Sequence, residues 1–396
     1  MKTPRRICIA AAALAATASV PAGTINWDGD NAVGNMSYND NWYGNSNPDN
    51  FSGWNFGNNL EFNYRNNAGQ TSVYYDYSGW RNISDIAFMT TFGAATTWNG
   101  NGNGLNFNQK LENYSSNTVT LGTMNFSGAK NGAAQIELNP VNGDMSFSST
   151  SNLYNDNSKA YHVYGNNGKT LTLNTALGVG GTAANVSLNI QQNSTVQVNA
   201  AQNYTGGTNV NAGVLSLGTS GSLASGNVSV VSGAKLSGAG TIAGATSIGG
   251  THTVGGSNAT GTQAFGNDLG YAAGSVFEWD INTGSAAYDK TTITGNLNVA
   301  SGAIFKVVSS SAFSDTFWNT GHTWSDIFNG QAMTNFLVSN FQYVAAGSSV
   351  AAPSAEGFFS VSGADLKWTA VPEPSGVLVG GLVGLGLLRR RRHPVG

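Results

Sequence analysis

Glu278 and Asp280, in Phe277-Glu278-Trp279-Asp280-Ile281, are spaced as an acid–base pair on one strand would be. Residues two apart on a strand point to the same face about 7 Å apart, inside the range for a glycosidase carboxylate pair. The same segment alternates the two acids with Phe277, Trp279 and Ile281. The simpler expectation is a half-buried strand with its apolar side in a core and both acids in water. His162, His252 and His322 are not spaced as a metal pair, and His162 fits an alternating strand from Tyr161 to Tyr164. Asp28-Gly29-Asp30-Asn31 carries oxygen ligands of the kind calcium takes but has no twelfth-position Glu, so a polar turn is the plainer reading. Gly-x-Ser-x-Gly, P-loop and His-Glu-x-x-His patterns do not occur. The expectation is a chain without catalytic residues, metal or cofactor.

Composition restricts the elements that could position such residues. Charged residues make up 9% of the 396, and glycine reaches 53 against eight prolines. Long helices need Ala, Leu, Glu, Lys and Arg on their solvent faces, and these are scarce between residues 23 and 370. Hydrophobic residues still reach 40%, enough to build a core. Short β-strands joined by Gly/Asn turns satisfy both facts. Between Gly23 and Pro372, 10 Lys and Arg stand against 19 Asp and Glu, a net charge of −9. That balance argues against nucleic acid, which is bound by neutralising phosphates.

The strands are plainest in the middle. Thr170–Leu173, Val186–Ile190, Thr195–Val198, Val214–Leu217 and Val228–Val231 alternate apolar and polar residues, with Gly206-Gly207, Gly213, Gly218, Gly226 and Gly233 between them. Leu171, Val196, Leu215 and Leu236 recur at gaps of 25, 19 and 21. A loose period of that size predicts the stacked coils of a solenoid rather than hairpins.

Both termini read as signals. Lys2, Arg5 and Arg6 precede an apolar run from Ile7 to Val20 and a small-residue site at Pro21-Ala22-Gly23, the pattern of a secretory signal peptide cleaved after Ala22. The one cysteine, Cys8, leaves with it, so the mature chain has no disulfide. At the other end stand Val371-Pro372-Glu373-Pro374, an apolar stretch to Leu388, and Arg389, Arg390, Arg391 and Arg392. A basic end is held in the cytoplasm, which places the rest of the chain outside. As a helix the run from Ser375 to Leu388 covers roughly 21 Å of a hydrocarbon core about 30 Å thick. It suits a temporary hold better than a permanent one.

This tail resembles the PEP-CTERM sorting signal of Gram-negative bacteria. The resemblance implies that Pro372, Glu373 and Pro374 are recognised by an exosortase, a membrane cysteine transpeptidase, and that Arg389 to Arg392 form the cytoplasmic stop; an ordinary tail anchor is the alternative. A second resemblance lies in Asn203-Tyr204-Thr205-Gly206-Gly207-Thr208-Asn209-Val210-Asn211-Ala212-Gly213-Val214-Leu215-Ser216-Leu217-Gly218 and its continuation to Ile242. It is similar to the autotransporter-associated β-strand, or passenger-associated transport, repeat, which implies a right-handed parallel β-helix. Ser84–Phe88 with Leu105–Phe107 resembles the opening coils of such secreted proteins, and Tyr288–Leu297 with Gly302–Val308 their closing section.

The expected organisation is a signal peptide at 1–22, an aromatic-rich cap and first coils at 23–110, and a β-solenoid at 111–262 with its repeat at about 192–242. A C-terminal β region and cap follow at 263–370, then the sorting signal with its transmembrane helix at 371–396. Trp27, Trp42, Trp54, Trp80 and Trp98 suit the first cap, because a solenoid must protect its open ends. The expected function is that of an exported, non-enzymatic all-β surface or matrix protein. The Sec translocon and exosortase are its partners, and extracellular polysaccharide is a further one. The membrane holds it transiently before delivery to the cell surface. The alternatives are a carbohydrate-active β-helix enzyme (polysaccharide lyase or glycosidase) and a polysaccharide-binding adhesin. The enzyme reading needs three or more carboxylates clustered on neighbouring coils.

Overall fold

Period-two alternation becomes a stack of parallel strands. A computed structural model describes residues 23–27, 36, 58–62, 72–77, 79–90, 96–100, 104–128, 134–155, 159–166, 168–179, 186–224, 226–256, 258–344 and 357–371. Among these, two long sheets of 13 strands each run the length of the protein. Two shorter sheets of five strands make a third side, one in each half. The pairing within these four sheets is parallel apart from one small hairpin, so the chain coils as a β-solenoid. Among the described residues the helical content is two 3-10 turns, Thr316–Asn319 and Val338–Asn340. No helix of the described residues is long and apolar enough to cross a membrane.

The spacing seen in the sequence is the coil itself. Leu171 pairs in register with Val196, Val196 with Leu215, and Leu215 with Leu236. The column continues through His252, Phe277, Phe305 and Phe341. Leu171, Val196, Leu215, Leu236, Phe277 and Phe305 point inward and are buried, so each coil seals the one before it. Outward residues of the same strands are Thr172, Gln197, Ser216 and Ser237, which explains the alternation. Two close approaches between coils need a residue without a Cβ. At Gly213 (φ 70°) an added Cβ would run into the Ser194 carbonyl of the preceding coil, and at Gly238 (φ 103°) into that of Leu217.

Aspartates fasten one coil to the next. Asp85 Oδ1 accepts from the Lys110 amide at 2.9 Å, Asp144 Oδ1 from Thr170 at 2.8 Å, and Asp268 Oδ1 from Asn296 at 2.8 Å. Each sits at a turn and reaches the coil that follows.

Trp98 is not a capping residue. It is fully buried between coils, with Phe62 at 4.6 Å, Phe88 at 5.4 Å and Phe126 at 6.1 Å between ring centroids. Its strand, Thr96–Gly100, pairs with Ser72–Tyr75 on one side and Val119–Leu121 on the other. Trp80 is 38% exposed, edge-on to Tyr154. The C-terminal end carries a small antiparallel sheet of His322–Trp324, Asp365–Ala370 and Gly357–Ser362. Its inner face packs Trp324, Phe359 and Trp368 against Phe313, Trp318 and Tyr343, with Tyr343 stacked on Phe359 at 4.2 Å. The Trp368 indole donates to the Trp318 carbonyl at 2.8 Å.

Column residues and outward residues should differ sharply in tolerance. Leu215→Ala opens a cavity between Val196 and Leu236 and should cost about 2–5 kcal/mol. Ser216→Ala, facing outward on the same strand, should stay within about 0.5 kcal/mol. Denaturant unfolding followed by circular dichroism measures both; equal losses would contradict the inward placement of Leu215.

Candidate functional site

Carboxylates gather in two places on the solenoid. The first is the outer face of the first long sheet, where in-register pairing sets Glu137 beside Lys110 and His162, and Glu112 beside Asn139. Glu137 is only 8% exposed. Its Oε1 accepts from Gln109 Nε2 at 2.6 Å and Gln135 Nε2 at 2.8 Å, while Lys110 Nζ lies 3.8 Å from Oε2. Asn139 Nδ2 bridges the two acids, 3.1 Å from Glu112 Oε1 and 3.4 Å from Glu137 Oε2. The column continues through His162, whose ring lies nearly parallel to Tyr164, to Asn189 and Asn209. Asn209 Nδ2 donates to Asn189 Oδ1 at 2.9 Å, so the amides form a ladder.

The charge states on this face do not suit proton transfer. Burial alone would raise the Glu137 pKa, but hydrogen bonds from Gln135 and Gln109, with Lys110 nearby, outweigh it and hold the carboxyl low. An anion this well stabilised is a weak acid catalyst. Burial pushes Asp85 up, yet its carboxylate is occupied by the Lys110 amide. Burial, then Glu112, pushes Tyr114 up to about 12, so its hydroxyl remains a donor. Three carboxylates therefore do lie together on neighbouring coils, but each accepts from an amide: Asp85 from the Lys110 backbone, Glu112 from Asn139, and Glu137 from Gln109 and Gln135. What the face offers is a fixed array of donors and acceptors beside aromatic rings, matched to hydroxyl groups.

The second place is the strand Val276–Asn282. Phe277, Trp279 and Ile281 are inward and buried, and Glu278 is outward, where it bridges Lys306 at 3.1 Å and Lys235 at 3.4 Å. Asp280 departs from expectation. It is 5% exposed rather than in water. The segment 258–260 lies over it, and a hairpin through Ala287–Tyr288 folds back on the end of its strand. That return brings Asp289, which is fully buried. Its Oδ2 accepts from the Asp280 amide at 3.0 Å and its Oδ1 from the Gly261 amide at 2.8 Å. Burial and then the Glu278 charge push Asp280 up to about 6; burial, with Asp280 contributing, pushes Asp289 up to about 8. No spacing rule joins Asp280 to Asp289, because the hairpin between them determines the contact.

His252 carries a role that the sequence did not suggest. It occupies an inward column position, fully buried, where Leu236 and Phe277 stand above and below. Nδ1 lies 2.6 Å from the Tyr271 hydroxyl and Nε2 lies 2.6 Å from Gln263 Oε1. One neutral tautomer satisfies both, donating from Nε2 and accepting at Nδ1. Burial drives its pKa down to about 4. The Thr-His-Thr alternation placing it inward was visible; the matching Gln263 and Tyr271 on other sides of the coil were not. His162 is half-buried in the strand Tyr161–Tyr164, as expected, and burial lowers its pKa. His322 begins a strand of the terminal cap and stacks on Phe317.

Pro372, Glu373, Pro374, Arg389, Arg390, Arg391 and Arg392 lie outside the described residues, as do residues 1–22 and the Asp28–Asn31 segment. Among the described residues no group of three or more His, Cys, Asp or Glu side chains is arranged to hold a metal ion. No protein-family model matches the chain, and no curated protein matches it. The functional reading therefore rests on residues and geometry.

The buried groups give stability opposite pH dependences. Asp280 and Asp289 keep a proton in the fold where the unfolded chain has lost it. Their contribution is complete below about 3.8 and is lost as the pH rises through about 6 and about 8. His252 stays neutral where the unfolded chain is charged, so its contribution is present above 6.5 and lost as the pH falls toward about 4. Thermal melts should show Asp280→Asn reducing the alkaline loss and His252→Phe reducing the acid loss. Parallel pH profiles for wild type and both variants would refute these assignments.

Proposed function

We propose that this protein is an exported, non-enzymatic right-handed β-solenoid, sorted by an exosortase and delivered to the cell surface or extracellular matrix. The observation that carries this reading is the order of elements at the C-terminus. The cap strand Asp365–Ala370 ends two residues before Pro372, and Val371 is 44% exposed. The Pro-Glu-Pro motif, the short apolar run and the four arginines therefore follow directly on the completed fold. A processing enzyme needs an extended substrate, and a motif placed after the last strand can be cut without dismantling the solenoid. The basic N-terminus and apolar run to Val20 supply the matching entry to the Sec translocon.

Polysaccharide is the partner favoured by the outer face of the first long sheet. Amide ladders, a stabilised carboxylate and the His162–Tyr164 ring pair present hydroxyl-binding chemistry without a poised acid. Clamping of Asp85 to backbone, and of Glu137 by amides, supports a binding role over polysaccharide lyase or glycosidase activity.

Changing Pro372, Glu373 and Pro374 to alanine, or deleting the host exosortase, should hold an uncut form in the inner membrane. Immunoblots of fractionated cells read this directly. Normal release of the variant would overturn the sorting assignment. Pull-down on the producer's own polysaccharide tests the partner, with Tyr164→Ala and Asn189→Ala expected to reduce retention.

A further inference from the structure

The pocket beside Asp280 has the make-up of a binding site for an organic cation. It has a volume of about 350 Å³ and lies between the segment Asn258-Ala259-Thr260 and the strand ends Asp280-Ile281-Asn282 and Val308-Ser309-Ser310. Asp280 sits outward on its strand between inward Trp279 and Ile281, so its carboxyl belongs to this side of the sheet. The residue is nineteen-twentieths buried and makes no ion pair among the described residues. Its partners are the Asn258 amide and the Thr253 hydroxyl, the latter at 3.5 Å and also directed to the Gly256 carbonyl at 3.3 Å. Asp289 stands behind it, and its two oxygens are taken by backbone amides.

Of the nearby cations, Lys235 acts on this acid only at a distance and pairs with Glu278 instead. Glu278, two residues along the strand, is itself an anion and engages both Lys235 and Lys306. A buried carboxylate facing another carboxyl is relieved by a proton or by a cation entering from the open side. A bare metal ion suits the pocket poorly. Calcium takes six to eight oxygen ligands, and here one carboxylate is surrounded by neutral hydroxyl and amide groups. A primary ammonium has three N–H groups to place. Asp280 supplies the charged acceptor and Asn258 and Thr260 line the same pocket, whereas the Ser310 hydroxyl already takes the Thr283 amide, Asn282 Oδ1 the Gly284 and Ser285 amides, and Ser309 turns inward to Ser311. Val308, paired beside Asp280 on the outward side, adds an apolar wall for a carbon ring.

We propose that this pocket receives the ammonium group of an amino sugar, so that the polysaccharide partner is one carrying free amines. The inference rests on the polysaccharide reading for its natural occupant. The site itself is defined by Asp280 and stands or falls separately.

Glucosamine oligosaccharides and their N-acetylated counterparts are the probes, titrated calorimetrically into the full chain in detergent at low salt. The free amine should bind at least about tenfold more tightly than the acetylated form. Binding should also strengthen between about pH 5 and pH 7, as Asp280 loses its proton and leaves a carboxylate for the incoming cation. Asp280→Asn, nearly isosteric, should abolish the preference while the far-ultraviolet circular dichroism remains that of the wild type. Glu278→Gln, outside the pocket, should retain it. Equal binding of amine and acetamide, or an unchanged preference in Asp280→Asn, would overturn the site. If glucosamine oligomers bind as expected but the producer's polysaccharide does not, the site holds and the proposed partner falls. If the polysaccharide binds wild type and Asp280→Asn alike, it is held elsewhere on the solenoid and its assignment to this pocket falls.

Discussion

In-register stacking of parallel strands is the constraint on which everything else in this protein depends. Each inward side chain has one neighbour above and one below, set by backbone hydrogen bonds rather than by choice of rotamer. A slip of one residue would turn Leu171, Val196, Leu215 and Leu236 outward together and bring Thr172, Gln197, Ser216 and Ser237 into the core. Register is thus enforced by the whole column at once. The Asp85, Asp144 and Asp268 carboxylates add a second lock at the turns, where side-chain burial is weakest. Three of the chain's 20 acidic residues serve at these turns, one reason acidic residues alone were a poor guide to chemistry.

The same constraint determines which parts were readable beforehand. The gaps between Leu171, Val196, Leu215 and Leu236 mapped directly onto paired positions, because a solenoid converts linear period into spatial neighbourhood. The pair Gly357–Ser362 and Asp365–Ala370 carries the same local signal, alternation bounded by a turn. Trp98 misled because composition shows that aromatics are abundant but not whether they lie between coils or over an end. Asp280 misled because alternation gives the side of the sheet but not what lies over that side. Its burial comes from the segment after Gly256 and from a hairpin ending at Asp289, and neither has a period.

His252 illustrates a polar residue admitted to an apolar column on strict terms. The imidazole is accommodated where Tyr271 and Gln263 approach from two other sides of the same region, so three faces of the coil must agree. Such agreement is demanding to evolve and fixes the relative rotation of those faces more tightly than hydrophobic contact would. The segment from Leu236 to Phe305 therefore has less freedom to slide than the purely aliphatic coils before it. It is also the segment that carries the Asp280 pocket, whose walls come from three successive coils.

The antiparallel sheet at the C-terminal end has a consequence for assembly. Strands Met333–Thr334 and Phe341–Val344 are the last members of the long sheets, and a parallel edge is a template onto which another molecule's first coil could dock. By stacking Phe359 on Tyr343 of the last long-sheet strand and burying Trp324 and Trp368 beside it, the antiparallel sheet works as a chain terminator in the polymer chemist's sense.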